Sequence, residues 1–155
     1  MEDPNYRTAL LLMLKTMSQA YEEHKKSNHQ LIITMGPTPE ILIHYGFPAL
    51  PLVITGKVVD KAFFDHGITK PILERAYKII EDPKAIFKSK EVEESAVLLS
   101  FETNRGGDPL IVAIHKNKEI GRSVFYNNVA SIYFKSGNAE ARWESESLLQ
   151  WRNLK

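Results

Sequence analysis

The spacing of apolar residues changes character near residue 84, and this switch restricts the fold more than any other feature of the chain. Before it the period is helical. Residues 6–24 place Leu10, Met13, Leu14, Met17 and Tyr21 on one stripe, with Lys15, Glu22 and Glu23 off it. The turn-rich residues 26–29 end that helix. Val58, Val59, Ala62 and Phe63 predict a second helix that stops at Asp65-His66-Gly67. Pro71 opens a third, with Ile72, Leu73, Ala76, Ile79 and Ile80 on its apolar face and Asp82-Pro83 at its end. A short helix over residues 40–45 follows Thr38, whose hydroxyl is placed to cap the free amides while Pro39 takes the first helical position; Thr69 repeats the device. Two brief strand-like runs, residues 31–34 and 52–55, interrupt this helical half.

After residue 84 the chain reads as strands: residues 85–87, 96–101, 110–114 and 123–134, with a bulge expected at Asn127-Asn128. Asn104-Arg105-Gly106-Gly107-Asp108-Pro109 is a hairpin-loop signal between the second and third of these. Residues 140–151 predict a terminal helix with Trp143, Leu148 and Trp151 facing inward. Helices followed by a meander of strands is the α+β pattern, not the alternating pattern of a doubly wound fold. At 155 residues and 43% hydrophobic, the chain is expected to form a single domain over 1–155, since two would each bury too little surface.

Composition narrows the chemistry. The chain has no cysteine, which removes disulfides, thiolate metal ligands and a thiol nucleophile. Its acidic start, Met1-Glu2-Asp3-Pro4, is unlike a secretory signal, and the apolar run 9–14 is far too short to span a bilayer, so the sequence reads as soluble with no membrane partner. Motifs for phosphate loops, dinucleotide sites, nucleophile elbows and zinc proteases are missing. The five histidines, at 24, 29, 44, 66 and 115, lack metal-ligand spacing, and neither a metal nor an organic cofactor is expected.

The formal charge of +1 conceals a pattern. Residues 57–90 hold eight Lys/Arg against five Asp/Glu, residues 91–108 one against five, and residues 109–138 four against one. These stretches are either solvated faces or, if Lys57, Lys61 and Arg122 converge, the walls of an anion-binding cleft. His66 lies among the cations of the first stretch. An imidazole beside lysines can move protons while the cations stabilise charge on a phosphoryl oxygen, which suffices for ribonucleolytic transesterification. The competing account makes His66 a helix C-terminal cap. His115, at the end of an apolar strand, reads as a structural histidine.

Several segments together resemble a known family. They are Thr55-Gly56-Lys57-Val58-Val59-Asp60-Lys61, His66-Gly67-Ile68-Thr69, Glu81-Asp82-Pro83-Lys84-Ala85-Ile86-Phe87-Lys88-Ser89, Pro109-Leu110-Ile111-Val112-Ala113-Ile114 and Asn127-Asn128-Val129-Ala130-Ser131-Ile132-Tyr133. In this order they look like the phage-associated branch of the barnase, EndoU, colicin and RelE-like (BECR) nucleases, found at the C-termini of MuF-type phage proteins. The likeness spans residues 50–135, leaving a helical N-terminal extension over 1–50 and a C-terminal segment over 136–155. It implies N-terminal helices packed on an antiparallel sheet of about four strands. It also implies a metal-independent endoribonuclease of phage origin, a toxin or effector acting in the bacterial cytoplasm, with transfer RNA a candidate substrate and an immunity or antitoxin protein a candidate partner.

By the same resemblance His66 is a general acid or base, and Lys61 and Arg122 stabilise the phosphate. Ser131 or Tyr133 positions the substrate, and Lys57 and Asn127 bind it. Strand alternation alone puts Asn127, Val129, Ser131 and Tyr133 on one face, which either lines a site or meets water. The alternative function is a catalytically silent relative that engages a protein or RNA partner; self-association through the helix over 6–24, apolar around much of its circumference at 10–14, is a third.

Overall fold

A computed structural model describes residues 1–23, 29–120 and 123–154. The chain is α+β, and the described residues form six α-helices and one mixed sheet of seven strands. Helix α1 (Tyr6–Glu22) leads into β1 (Ile32–Pro37), α2 (Glu40–His44) and β2 (Pro51–Thr55). Then come α3 (Gly56–Asp60), a π-helical turn (Lys61–Asp65), α4 (Lys70–Glu74) and α5 (Ala76–Glu81). Strands β3 (Ala85–Lys88), β4 (Ser95–Thr103), β5 (Pro109–Glu119) and β6 (Phe125–Phe134) follow, and α6 (Ala139–Ser145) and β7 (Leu149–Arg152) close the chain. The sheet order is β1-β2-β6-β5-β4-β3-β7.

The sheet is wider than the four antiparallel strands expected. Strands β3 to β6 form the antiparallel meander. To it β2 adds in parallel on β6, β1 pairs antiparallel with β2, and β7 pairs antiparallel with β3. Residues 1–50 thus contribute a strand to the common sheet as well as helices. The terminal helix is also shorter than its apolar spacing predicts. Ser147, at φ 61° just past α6, turns the chain, and Trp151 lies in β7 opposite Ile86.

One sheet face is covered by the N-terminal helices. Tyr6, Leu10, Met13, Leu14 and Met17 of α1 pack with Leu73, Ile80, Leu98, Val112, Ile114, Val129 and Ile132 in the main core. Its closest polar tie is buried, the Tyr6 hydroxyl donating to the Leu73 carbonyl at 2.6 Å. Leu12, by contrast, is 63% exposed on the outer side of α1. On the other sheet face α6 covers a smaller cluster, Ala85, Phe87, Leu99 and Ile111, with the Trp143 ring edge-on to Phe87 at 5.3 Å. The row Val97-Ala113-Ser131, paired across β4, β5 and β6, is only partly covered.

Of the expected helix caps, Thr38 does not cap α2; its hydroxyl donates to the Leu50 carbonyl and accepts from Asn127. Thr69 makes no side-chain cap to α4. Thr55, which carried no such expectation, caps α3 by accepting the Val58 amide at 3.4 Å.

Candidate functional site

Strand β2 pairs with β6 only from Leu52 to Ile54, opposite Asn127 to Val129. The chain then turns at Thr55 into α3, so among the described residues the far half of β6 has no strand neighbour on that side. The amides of Gly56 and Lys57, left free at a helix start, are taken by the carbonyls of Leu31 and His29 at 2.8 and 3.1 Å. His29 also pairs through its ring with Asp60, so both ends of α3 are tied to the segment before β1.

Lys57 and Lys61 are four apart and share a helix face. In a continuing α-helix, His66 would lie about 140° around the axis from Lys61. The π turn reduces that offset: the His66 amide bonds the Lys61 carbonyl at 2.9 Å, an i to i−5 bond that brings residue 66 to the same side of the turn as residue 61. Gly67, at φ 66°, then turns the chain away. On the unpaired edge of β6, His66 Nδ1 donates to the Ile132 carbonyl at 2.9 Å. A carbonyl only accepts, so the proton is on Nδ1, and Nε2 is the nitrogen that can exchange a proton with a ligand.

These side chains line a cleft of about 360 Å³ with Thr55, Val58, His115, Lys118, Asn128, Ala130, Ser131 and Ile132. The structure therefore brings together Lys57, Lys61, His66 and Ser131. Neither Lys57 nor Lys61 has an ion-pair partner among the described residues. With no ion pair holding them there, both ammonium groups are available to an anion.

Asn127 is elsewhere. It is fully buried, its Nδ2 donating to Thr38 Oγ1 at 2.7 Å and to the Pro48 carbonyl at 2.9 Å, while its Oδ1 accepts the Asn117 amide at 3.0 Å. The last bond closes an irregularity in β5 between His115 and Lys118, where Asn117 has φ 53°. Tyr133 is beside His66, ring edge to ring at 6.1 Å, but lines the neighbouring cleft. Burial, and then the nearby Glu91 charge, push its hydroxyl pKa up. Arg122 lies outside the described residues.

Simple alternation misplaced these strand residues because β6 is bulged. The register steps from Val129 to Ser131 against adjacent residues of β5, leaving Ala130 as the extra residue. Val129 and Ile132 consequently both point into the main core, and Ser131 and Tyr133 face the opposite way from Asn127. Through the same change it is Asn128, opposite His115, that reaches the cleft. Its Oδ1 is buried with no hydrogen-bond partner among the described residues, a costly arrangement for an amide oxygen.

His115 and Lys118 also line the cleft, although the sequence singles out neither for the site. Strand alternation on β5 puts His115 on the same face as Ala113, which pairs with Ser131. Burial, and then the Lys118 charge, hold its pKa below the usual histidine value, so it is neutral near pH 7.

Residues 57–155 match the family described as the phage MuF-C-terminal domain, and the chain belongs to that family. The match begins at Lys57 and covers the cleft's helical wall, the meander, α6 and β7. Neither the curated proteins nor the solved structures contain a match to the chain. No helix among the described residues is long and apolar enough to cross a membrane.

Proposed function

We propose that this phage MuF-C-terminal domain is an endoribonuclease of the BECR type, cleaving RNA by attack of the 2′-hydroxyl without a metal. A role as a toxin or effector in the bacterial cytoplasm, with transfer RNA among its substrates and an immunity protein as antagonist, follows from the same family likeness. The observation that carries the proposal is His66 itself. Its Nδ1 is anchored on the Ile132 carbonyl while it shares one cleft with three lysines that have no ion-pair partner among the described residues, a second histidine and the Ser131 hydroxyl.

Neutral His115 takes the proton of the 2′-hydroxyl as that oxygen attacks phosphorus. The bond from phosphorus to the 5′-oxygen breaks, and protonated His66 gives its Nε2 proton to the leaving oxygen. Lys57 and Lys61 stabilise the charge that grows on the non-bridging oxygens. Ser131 and Asn128 position the ribose and phosphate. The products are a 2′,3′-cyclic phosphate and a 5′-hydroxyl, and proton exchange with water resets both histidines.

The test is incubation of the purified protein with single-stranded and transfer RNA in EDTA, beside His66→Ala. Cleavage by the wild type that falls about 10²- to 10⁴-fold in the variant is the expected result. No cleavage by the wild type, or full activity in His66→Ala, would refute the assignment; RNA binding without cleavage would favour the silent relative.

A further inference from the structure

The His66 cleft is not the end of the basic surface on this face of the sheet. Row by row, Ser131 of β6 pairs with Ala113 of β5, and Ala113 with Val97 of β4. All three are partly exposed although they lie in mid-sheet, and the two on β4 and β5 have small or short side chains. The strip leads from Ser131, in the wall of the first cleft, to Val97, in the wall of a second cleft of about 420 Å³. From β6 to β3 is three strand spacings, about 14 Å.

Lys88, Lys135 and Arg142 line the second cleft, and none has an ion-pair partner among the described residues. Lys90 is there too but is paired with Glu146 at 3.1 Å, and Glu91 adds one more acid. Two aromatic rings, Tyr133 and Trp143, share the same walls and are both partly exposed. Tyr133 is the hinge between the clefts, since its ring also meets His66. Cations without ion-pair partners among the described residues, beside partly exposed rings, are what a single-stranded nucleic acid requires: charge for the phosphate and a flat apolar surface for the base. An acidic protein segment would use the cations and leave the rings unexplained.

Resting on the nuclease reading above, we infer that single-stranded RNA runs from the His66 cleft across Ser131, Ala113 and Val97 into the second cleft. There a flanking nucleotide sets its phosphate on Lys135 and Arg142 and its base against Tyr133 and Trp143. The protein therefore prefers an extended strand to a dinucleotide.

The probe is a labelled single-stranded RNA of about eight nucleotides, within the span such surfaces hold, bound in an anisotropy titration to His66→Ala and to His66→Ala carrying Lys135→Gln and Arg142→Gln. Losing two phosphate contacts should flatten the slope of log affinity against log salt by about 1.4 and weaken binding about 25-fold near 0.1 M salt. In the active protein the same two substitutions should lower cleavage of the octamer and leave that of a dinucleotide unchanged. Unaltered octamer binding in the variant would overturn the inference, as would equal binding of the octamer and a polyglutamate of the same charge. Dinucleotide and octamer cleavage falling together would also overturn it. The binding arm decides the inference even if the wild type cleaves nothing, a result that would count against the nuclease reading instead.

Discussion

Replacing Asn127 with alanine separates a structural from a substrate-binding account of this residue. Its side chain makes three hydrogen bonds from a fully buried position: two donated, to Thr38 Oγ1 and the Pro48 carbonyl, and one accepted from the Asn117 amide. At about 1 kcal/mol for each net bond, Asn127→Ala should cost about 3 kcal/mol. For a chain of this size that corresponds to a fall in melting temperature of about 6–12 °C. Asn127→Asp keeps the acceptor for Asn117 but faces the Pro48 carbonyl with an oxygen in place of a donor, so it should be at least as damaging. Thermal unfolding followed by circular dichroism measures both. Well below the new midpoint, Asn127→Ala should keep most of its RNA-cleaving activity, because the residue does not reach the cleft. A midpoint within about 1 °C of wild type, together with lost cleavage, would refute the reasoning and return Asn127 to the site.

Other consequences follow from the same contacts. Tyr6→Phe removes the buried bond to the Leu73 carbonyl and leaves that acceptor unsatisfied, costing about 1–3 kcal/mol by denaturant titration. Lys118→Gln removes one of the two causes that lower the His115 pKa, so the acidic limb of the pH–rate profile should move to higher pH, towards the ordinary histidine value. His115 also links pH to stability. Because its folded pKa is depressed, its contribution is fully present above the unfolded value of about 6.5 and is lost as the pH falls through the folded value. His115→Gln should therefore lose less stability than wild type between neutral and mildly acidic pH. Thr55→Ala deletes the cap of the helix bearing Lys57 and should cost about 0.5–1 kcal/mol, read by equilibrium unfolding.

What could be read from the sequence depended on whether the signal was local. The stripe Leu10, Met13, Leu14 and Met17 gave α1 because helical burial repeats within one element. The runs around Leu52 and Leu110 gave β2 and β5 for the same reason, but their pairing is long-range. Nothing within residues 52–55 specifies a parallel partner in β6. Apolar spacing alone overextends the terminal helix, because Trp143, Leu148 and Trp151 keep it through Ser147, whose left-handed backbone lies just past the helix end. Thr38 has the chemistry of a helix cap, but a partner 89 residues away, Asn127, takes its hydroxyl.

The site was legible where its chemistry lay on one helix. Lys57, Lys61 and His66 stand close in sequence, and all three line the cleft. The strand contribution was less accessible because one extra residue, Ala130, reverses which side chains share a face. His115 and Asn128 enter the cleft only through the pairing of β5 with β6. The bulge expected at Asn127-Asn128 is not there: β6 carries its extra residue at Ala130, and beside Asn127 the extra residue belongs to β5, at the Asn117 irregularity that the Asn127 side chain holds.

The most direct test of the central claim uses two RNA strands of one sequence, identical except that the second lacks the 2′-hydroxyl at the cleaved nucleotide. In EDTA the protein should cut the first to a 2′,3′-cyclic phosphate and leave that position of the second intact, and His66→Ala should cut neither at an appreciable rate. Cleavage of the deoxy-substituted position, or a product without the cyclic phosphate at early times, would contradict attack by the neighbouring hydroxyl and with it the roles given to His66 and His115.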